Sequence, residues 1–166
     1  MPTPSVEANE KLLRQVGPGG TPIFVDPKRK PPIHFSRFIP TSDDADGLSL
    51  IRSRFRSEVW AAVRRERPDV RFHLARFLAE TAIAIAEDVG LGALDFLPTE
   101  DALDQEFGEP WAHCVVQQLN RTEYAQNREA KKRIKEWAHR MAEGIPWNDV
   151  TGPFAEPSDQ DAYRPS

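Results

Sequence analysis

Fifteen prolines punctuate the 166 residues, and their placement constrains the fold more than any other feature of the chain. Eight lie in residues 1–40 and four in residues 146–166, with only Pro68, Pro98 and Pro110 between. Proline fixes φ and removes a backbone donor, so neither end can be one long regular element. Gly17-Pro18-Gly19-Gly20 adds a turn or flexible joint. From Gly152 onward only Phe154, Ala155, Ala162 and Tyr163 are apolar. The expectation is a flexible N-terminal arm over 1–21, with a short helix at 6–16 as its candidate element. A folded body over 22–147 and a disordered acidic tail over 148–166 would follow. This length suits one domain.

Three segments carry helical spacing. Phe55, Val59, Ala62 and Val63 form the first, stopped by Pro68. Val70, Leu74, Phe77, Leu78, Ala82, Ile85 and Val89 form the second, which reads as the core helix and ends at Gly90. The third starts at Asn120, a capping residue with Glu123 three positions on as its capping-box partner. Its stripe is Tyr124, Ile134, Trp137, Ala138 and Met141, closed by Gly144 and Pro146. Strands are expected at Ile33–Ile39, whose residues alternate, and at Leu48–Ile51, Ala93–Leu97 and Ala112–Val116. Helices and strands do not alternate strictly. The pattern therefore predicts an α+β fold, a single small domain with about three main helices on a short sheet and flexible Pro-rich termini.

The net charge of −4 conceals strong segregation. Residues 28–76 hold 12 basic and 6 acidic residues, residues 77–110 hold 9 acids and no Lys or Arg, and residues 120–140 hold 7 basic and 3 acidic. Basic and acidic elements packed side by side would account for this at little energetic consequence. Alternatively, Arg64, Arg65, Arg67 and Arg71, or Arg128, Lys131, Lys132, Arg133 and Lys135, form a patch for phosphate or an acidic partner. The acidic total excludes a uniformly basic nucleic-acid binder, and the third helix shows no aromatic platform for bases. Apolar runs are too short to span a membrane, and the first residues do not read as a secretory signal. A single cysteine, Cys114, excludes an intrachain disulfide and a multi-Cys zinc site. The expected compartment is the cytoplasm.

The densest polar cluster runs from Ile33 to Arg52. Asp44-Ala45-Asp46-Gly47 shares part of a calcium-loop pattern, but Ser42 and Ser53 stand where the loop needs Asp and a bidentate Glu. A turn with Asp side-chain hydrogen bonds and Gly47 at positive φ explains it more simply. His34 beside Ser36 lacks a nucleophile-elbow context. If His34 met His113 across a sheet, the pair could serve as acid and base on a phosphodiester. Arg37 or Arg52 would hold the phosphate, or Asp46 would join the imidazoles around a divalent metal. Cys114 reads as a small buried hydrophobe, and His73 and His139 as structural or surface residues. Trp60, Trp111 and Trp137 read as packing anchors, and Trp147 as either a packing residue or an anchor for a partner.

The leading expectation is a non-enzymatic accessory protein that binds a larger protein partner. Trp147, Arg128, Lys131, Lys132 and Lys135 are its contact residues, with no cofactor, metal, nucleic acid or membrane involved. The alternative is a small phosphodiester-cleaving or nucleotide-processing enzyme built on His34, Arg37, Asp46, Arg52 and His113.

Overall fold

A computed structural model describes residues 5–16, 25–42, 44–53, 72–99 and 113–154. Six antiparallel strands form one sheet in the order β4-β5-β2-β1-β3-β6. They are β1 (Lys11–Val16), β2 (Leu48–Arg52), β3 (Phe72–Leu78), β4 (Phe96–Thr99), β5 (His113–Val116) and β6 (Val150–Phe154). Three α-helices occur among the described residues: α1 (Ala79–Asp88), α2 (Arg121–Gln126) and α3 (Arg128–Glu143). The α+β class and the three helices on a sheet stand as the sequence implies. The first expected helix, with Arg64, Arg65, Arg67 and Arg71, and both Trp60 and Trp111 lie outside the described residues.

The segment at 6–16 is not helical. Lys11–Val16 pairs with β2 through Leu12↔Arg52 and with β3 through Leu12↔Phe77. An interior strand is covered on both faces, so its apolar residues run together and mimic a helical stripe. Leu12 and Val16 enter the main core with Leu50, Phe77 and Cys114, while Leu13 is buried on the opposite face with Ile51 and Leu74. The expected arm and tail each contribute a strand, since β6 pairs with β3 at Ala75↔Val150. The sheet therefore extends beyond the limits 22–147.

The stripe from Val70 to Val89 divides between two elements. Phe72–Leu78 is a strand and the helix begins only at Ala79. Leu78 occupies the helix cap position without a side-chain cap bond. The first helical amides are satisfied from a distance instead: Ala79 N–H donates to the Glu10 carbonyl (3.0 Å) and Glu80 N–H to that of Ala8 (2.7 Å). No turn residue is needed at that junction, so none marks it.

Ile33–Ile39 is not a strand. Ile33 makes one bridge to Val25, and Phe35–Phe38 is a 3-10 helix. His34 caps it, its Nδ1 accepting from Ser36 N–H (3.2 Å). The three-residue spacing of Phe35 and Phe38 turns both rings towards the helices. Phe38 meets Phe77 and Trp137 edge to face, at ring separations of 6.1 and 6.2 Å.

The third expected helix has two parts. Asn120 Oδ1 accepts from Glu123 N–H (2.8 Å), as expected of a cap. A second cap follows at Asn127, which accepts from Ala130 N–H (3.1 Å) and starts α3. The stripe Ile134, Trp137, Ala138 and Met141 is buried. Trp137 Nε1 donates to the Ala82 carbonyl (3.1 Å), which ties α3 to α1. The strand expected at Ala93–Leu97 is displaced to Phe96–Thr99, whereas Leu48–Arg52 and His113–Val116 lie close to expectation. No helix among the described residues is long and apolar enough to cross a membrane.

Candidate interaction surface

The two flanks of α3 differ in charge and in pairing. At about 100° per residue, Arg128, Lys131, Lys132, Lys135 and His139 fall within an arc of about 100° that holds no acid. On the other flank Arg140 Nη1 donates to Asp88 (2.6 Å), its Nε to Glu136 (3.2 Å), and Arg133 Nη1 to the Gly90 carbonyl (3.2 Å). There the acidic and basic elements pack side by side and neutralise each other. On the first flank, Arg128, Lys131, Lys132 and Lys135 are exposed, and their side chains make no ion pair or hydrogen bond among the described residues.

Rings support this cationic flank. His139 stacks on Phe35 at 3.7 Å, and the Lys135 ammonium sits 5.8 Å from the Phe35 centroid. The Tyr124 ring lies within cation–π distance of both Lys131 Nζ (5.5 Å) and the Arg121 guanidinium (5.4 Å). His34 stands beside Phe35 with a ring separation of 4.6 Å. Burial, and then His139, Arg37 and Arg29, hold its imidazole below the ordinary value. The rings carry cations and an imidazole on their faces, so they hold the charges in place rather than offer stacking platforms.

The five residues of the enzymatic expectation do not form one site. His34 lies on the helix-covered side of the sheet, where its Nδ1 also meets Ser36 Oγ at 2.8 Å. His113 alternates with the core residue Cys114 and so faces the other side. Both His113 ring nitrogens are engaged, Nε2 by Ser49 Oγ and Nδ1 by Thr99 Oγ1. Arg52 is fully buried, its Nε and Nη2 donating to Glu10 (2.6 and 2.8 Å) and Nη2 also to the Ser5 carbonyl (2.9 Å). It holds the fold together and is not open to a phosphate. Asp46 is exposed on a turn. Arg37 is half-buried, with its carbonyl accepting from Arg14 Nε (2.9 Å).

No family model, curated protein or solved structure matches this chain. The surface itself is therefore the ground for a functional reading.

Among the described residues no group of three or more His, Cys, Asp or Glu side chains is placed to hold a metal ion. Within the acidic cluster Asp44 has a structural role: it accepts from Thr41 N–H (2.7 Å), Ser49 N–H (2.9 Å) and the Arg14 guanidinium (3.3 Å), while Asp43 lies outside the described residues. Cys114 is buried, its thiol pushed up to about 12, chiefly by desolvation. Trp147 is half-buried against the core, its ring 6.0 Å from that of His73, and is separate from the basic flank.

Four contributors to the surface escape the sequence reading: Phe35, Arg121, Tyr124 and His139. The spacing of Lys131, Lys135 and His139 at i, i+4 and i+8 signals one helix face. Phe35 carries no such signal, because its place depends on the 3-10 turn.

Proposed function

We propose that this protein is a non-catalytic cytoplasmic accessory that docks on an acidic surface of a larger protein through the basic flank of α3. The carrying observation is the set of four exposed cations on that flank that have no ion-pair partner among the described residues, opposite a flank whose arginines are paired. Charges already matched within the fold add little to recognition, whereas an uncompensated set steers and orients a partner of opposite sign. The covered ring faces and the net charge of −4 favour carboxylates over nucleic acid. A lone buried thiol fits a reducing compartment.

The test is affinity purification from the native host with wild type and with a variant carrying Arg128→Glu, Lys131→Glu, Lys132→Glu and Lys135→Glu. The wild type should retain an acidic protein that the variant loses while melting at the same temperature. Added salt should weaken the complex. Retention by the variant overturns the reading, as does sub-micromolar binding of an oligonucleotide at ~0.15 M salt.

A further inference from the structure

The sheet face away from the helices carries a row of hydroxyl and imidazole groups that the docking surface does not use. Ser49 in β2 alternates with the core residues Leu48 and Leu50, and His113 in β5 adjoins the core residue Cys114. Thr99 in β4 stands opposite His113 in register. Three neighbouring strands thus bring Ser49, His113 and Thr99 side by side, each half-buried. The Thr99 hydroxyl donates to the His113 carbonyl (3.5 Å), so its oxygen is left to accept from His113 Nδ1–H (2.6 Å). The neutral ring then keeps its proton on Nδ1 and turns a bare Nε2 to the Ser49 hydroxyl, which donates to it. An imidazole so placed draws the proton from a serine nucleophile, and the third group fixes the ring and its tautomer. Ser36 is placed differently: the His34 nitrogen that faces it already accepts from Ser36 N–H (3.2 Å). An apolar strip lies beside the row. Val115 stands opposite Ser49 on one side and Leu97 on the other. Leu97 is 40 % exposed, the only exposed large apolar side chain among the described residues.

We infer that Ser49 is an acyl-accepting nucleophile, with His113 as its base, for activated esters of apolar carboxylic acids. Ser49 Oγ forms a bond to the ester carbonyl carbon, and its proton passes to His113 Nε2. The bond from that carbon to the leaving oxygen breaks, and the oxygen departs with the electron pair. The acyl chain lies over Val115 and Leu97. Thr99 is a positioning residue that acts through the imidazole. The result is one transfer that leaves the chain acylated. It takes place on the sheet face away from α3, so this inference does not depend on the proposed docking function.

The experiment incubates the full chain with p-nitrophenyl hexanoate, reading nitrophenolate by absorbance and the acylated residue by peptide mass spectrometry. The folded wild type should release about one equivalent of nitrophenolate as the acyl group accumulates on the protein. The hexanoyl group should sit on Ser49, while exposed Ser42 stays unmodified. His113→Gln should slow the transfer about a hundredfold, the lower end of a general-base contribution. Thr99→Val should slow it as well, and Thr99→Ser should restore it. The wild type should prefer the hexanoyl to the acetyl ester, and Leu97→Ser should lose that preference. Leu97→Ser changes an exposed side chain and should melt with the wild type, which separates a lost preference from lost folding. A folded wild type with no acyl group on Ser49 overturns the inference. So does equal acylation of Ser42 or Ser36, equal acylation of Ser49 in urea, or an unchanged rate in His113→Gln.

Discussion

Arg52 illustrates how a charge can be wholly committed to the fold. With the Glu10 carboxylate gripped by two of its nitrogens and both side chains buried, removing either partner strands the other in a low-dielectric setting. Arg52→Ala is expected to cost about 3–5 kcal/mol in a denaturant titration. The paired change Arg52→Met with Glu10→Leu should recover most of that loss. Nothing around Arg52 in the sequence announces this role, because Glu10 lies 42 positions away. Gly47 was legible. Its φ of +149° suits glycine, and a Cβ there would meet the Val116 carbonyl, so Gly47→Val should unfold the protein at a markedly lower temperature. His73 links single residues to pH. Burial lowers its imidazole from the ordinary value of 6.5, and its Nδ1 has no hydrogen-bond partner among the described residues. The unfolded chain therefore takes up a proton first as pH falls. Stability should decline from just above pH 6.5 down to the folded value, below which this contribution is flat. Melting temperatures of wild type and His73→Gln, compared between pH 7.5 and 5 across that range, should show the smaller acid loss in the variant.

Among the elements, α3 is the one whose sequence carries nearly all the required information. Its apolar stripe, its closing glycine and its charge are local patterns, and all three match the structure. Trp137→Ala should cost about 3–5 kcal/mol through lost burial, the cavity left behind and the lost bond to the Ala82 carbonyl, as read from chemical denaturation. Asn127→Ala should cost about 1 kcal/mol by removing the cap at the α2–α3 break. The same element carries the candidate surface, which was half legible: the lysines declare themselves by spacing, but the rings beneath them arrive from Phe35–Phe38 and α2. The junction of β3 with α1 was hidden for a different reason. Leu74, Phe77 and Leu78 satisfy a helical period and a strand equally well over so short a span. The donors that begin α1 are met by backbone near residues 8–10, far from any local signal.

Among the described residues the sheet is built on antiparallel pairing with β4 and β6 as its outermost strands, and each contains a proline, Pro98 in β4 and Pro153 in β6. Proline withholds a ladder donor and discourages another chain from adding a strand. Replacing both with valine should make self-association rise with concentration in sedimentation, while the wild type changes less. A further consequence concerns the order in which the chain is made. Lys11–Val16, which precedes the other five described strands in the sequence, occupies the seam between β2 and β3. It must wait until residues near 52 and then near 78 have been synthesised before its two sides are filled. A chain without residues 11–16 would lack the strand at that seam. It would leave β4-β5-β2 and β3-β6 as two fragments of sheet with no ladder joining them.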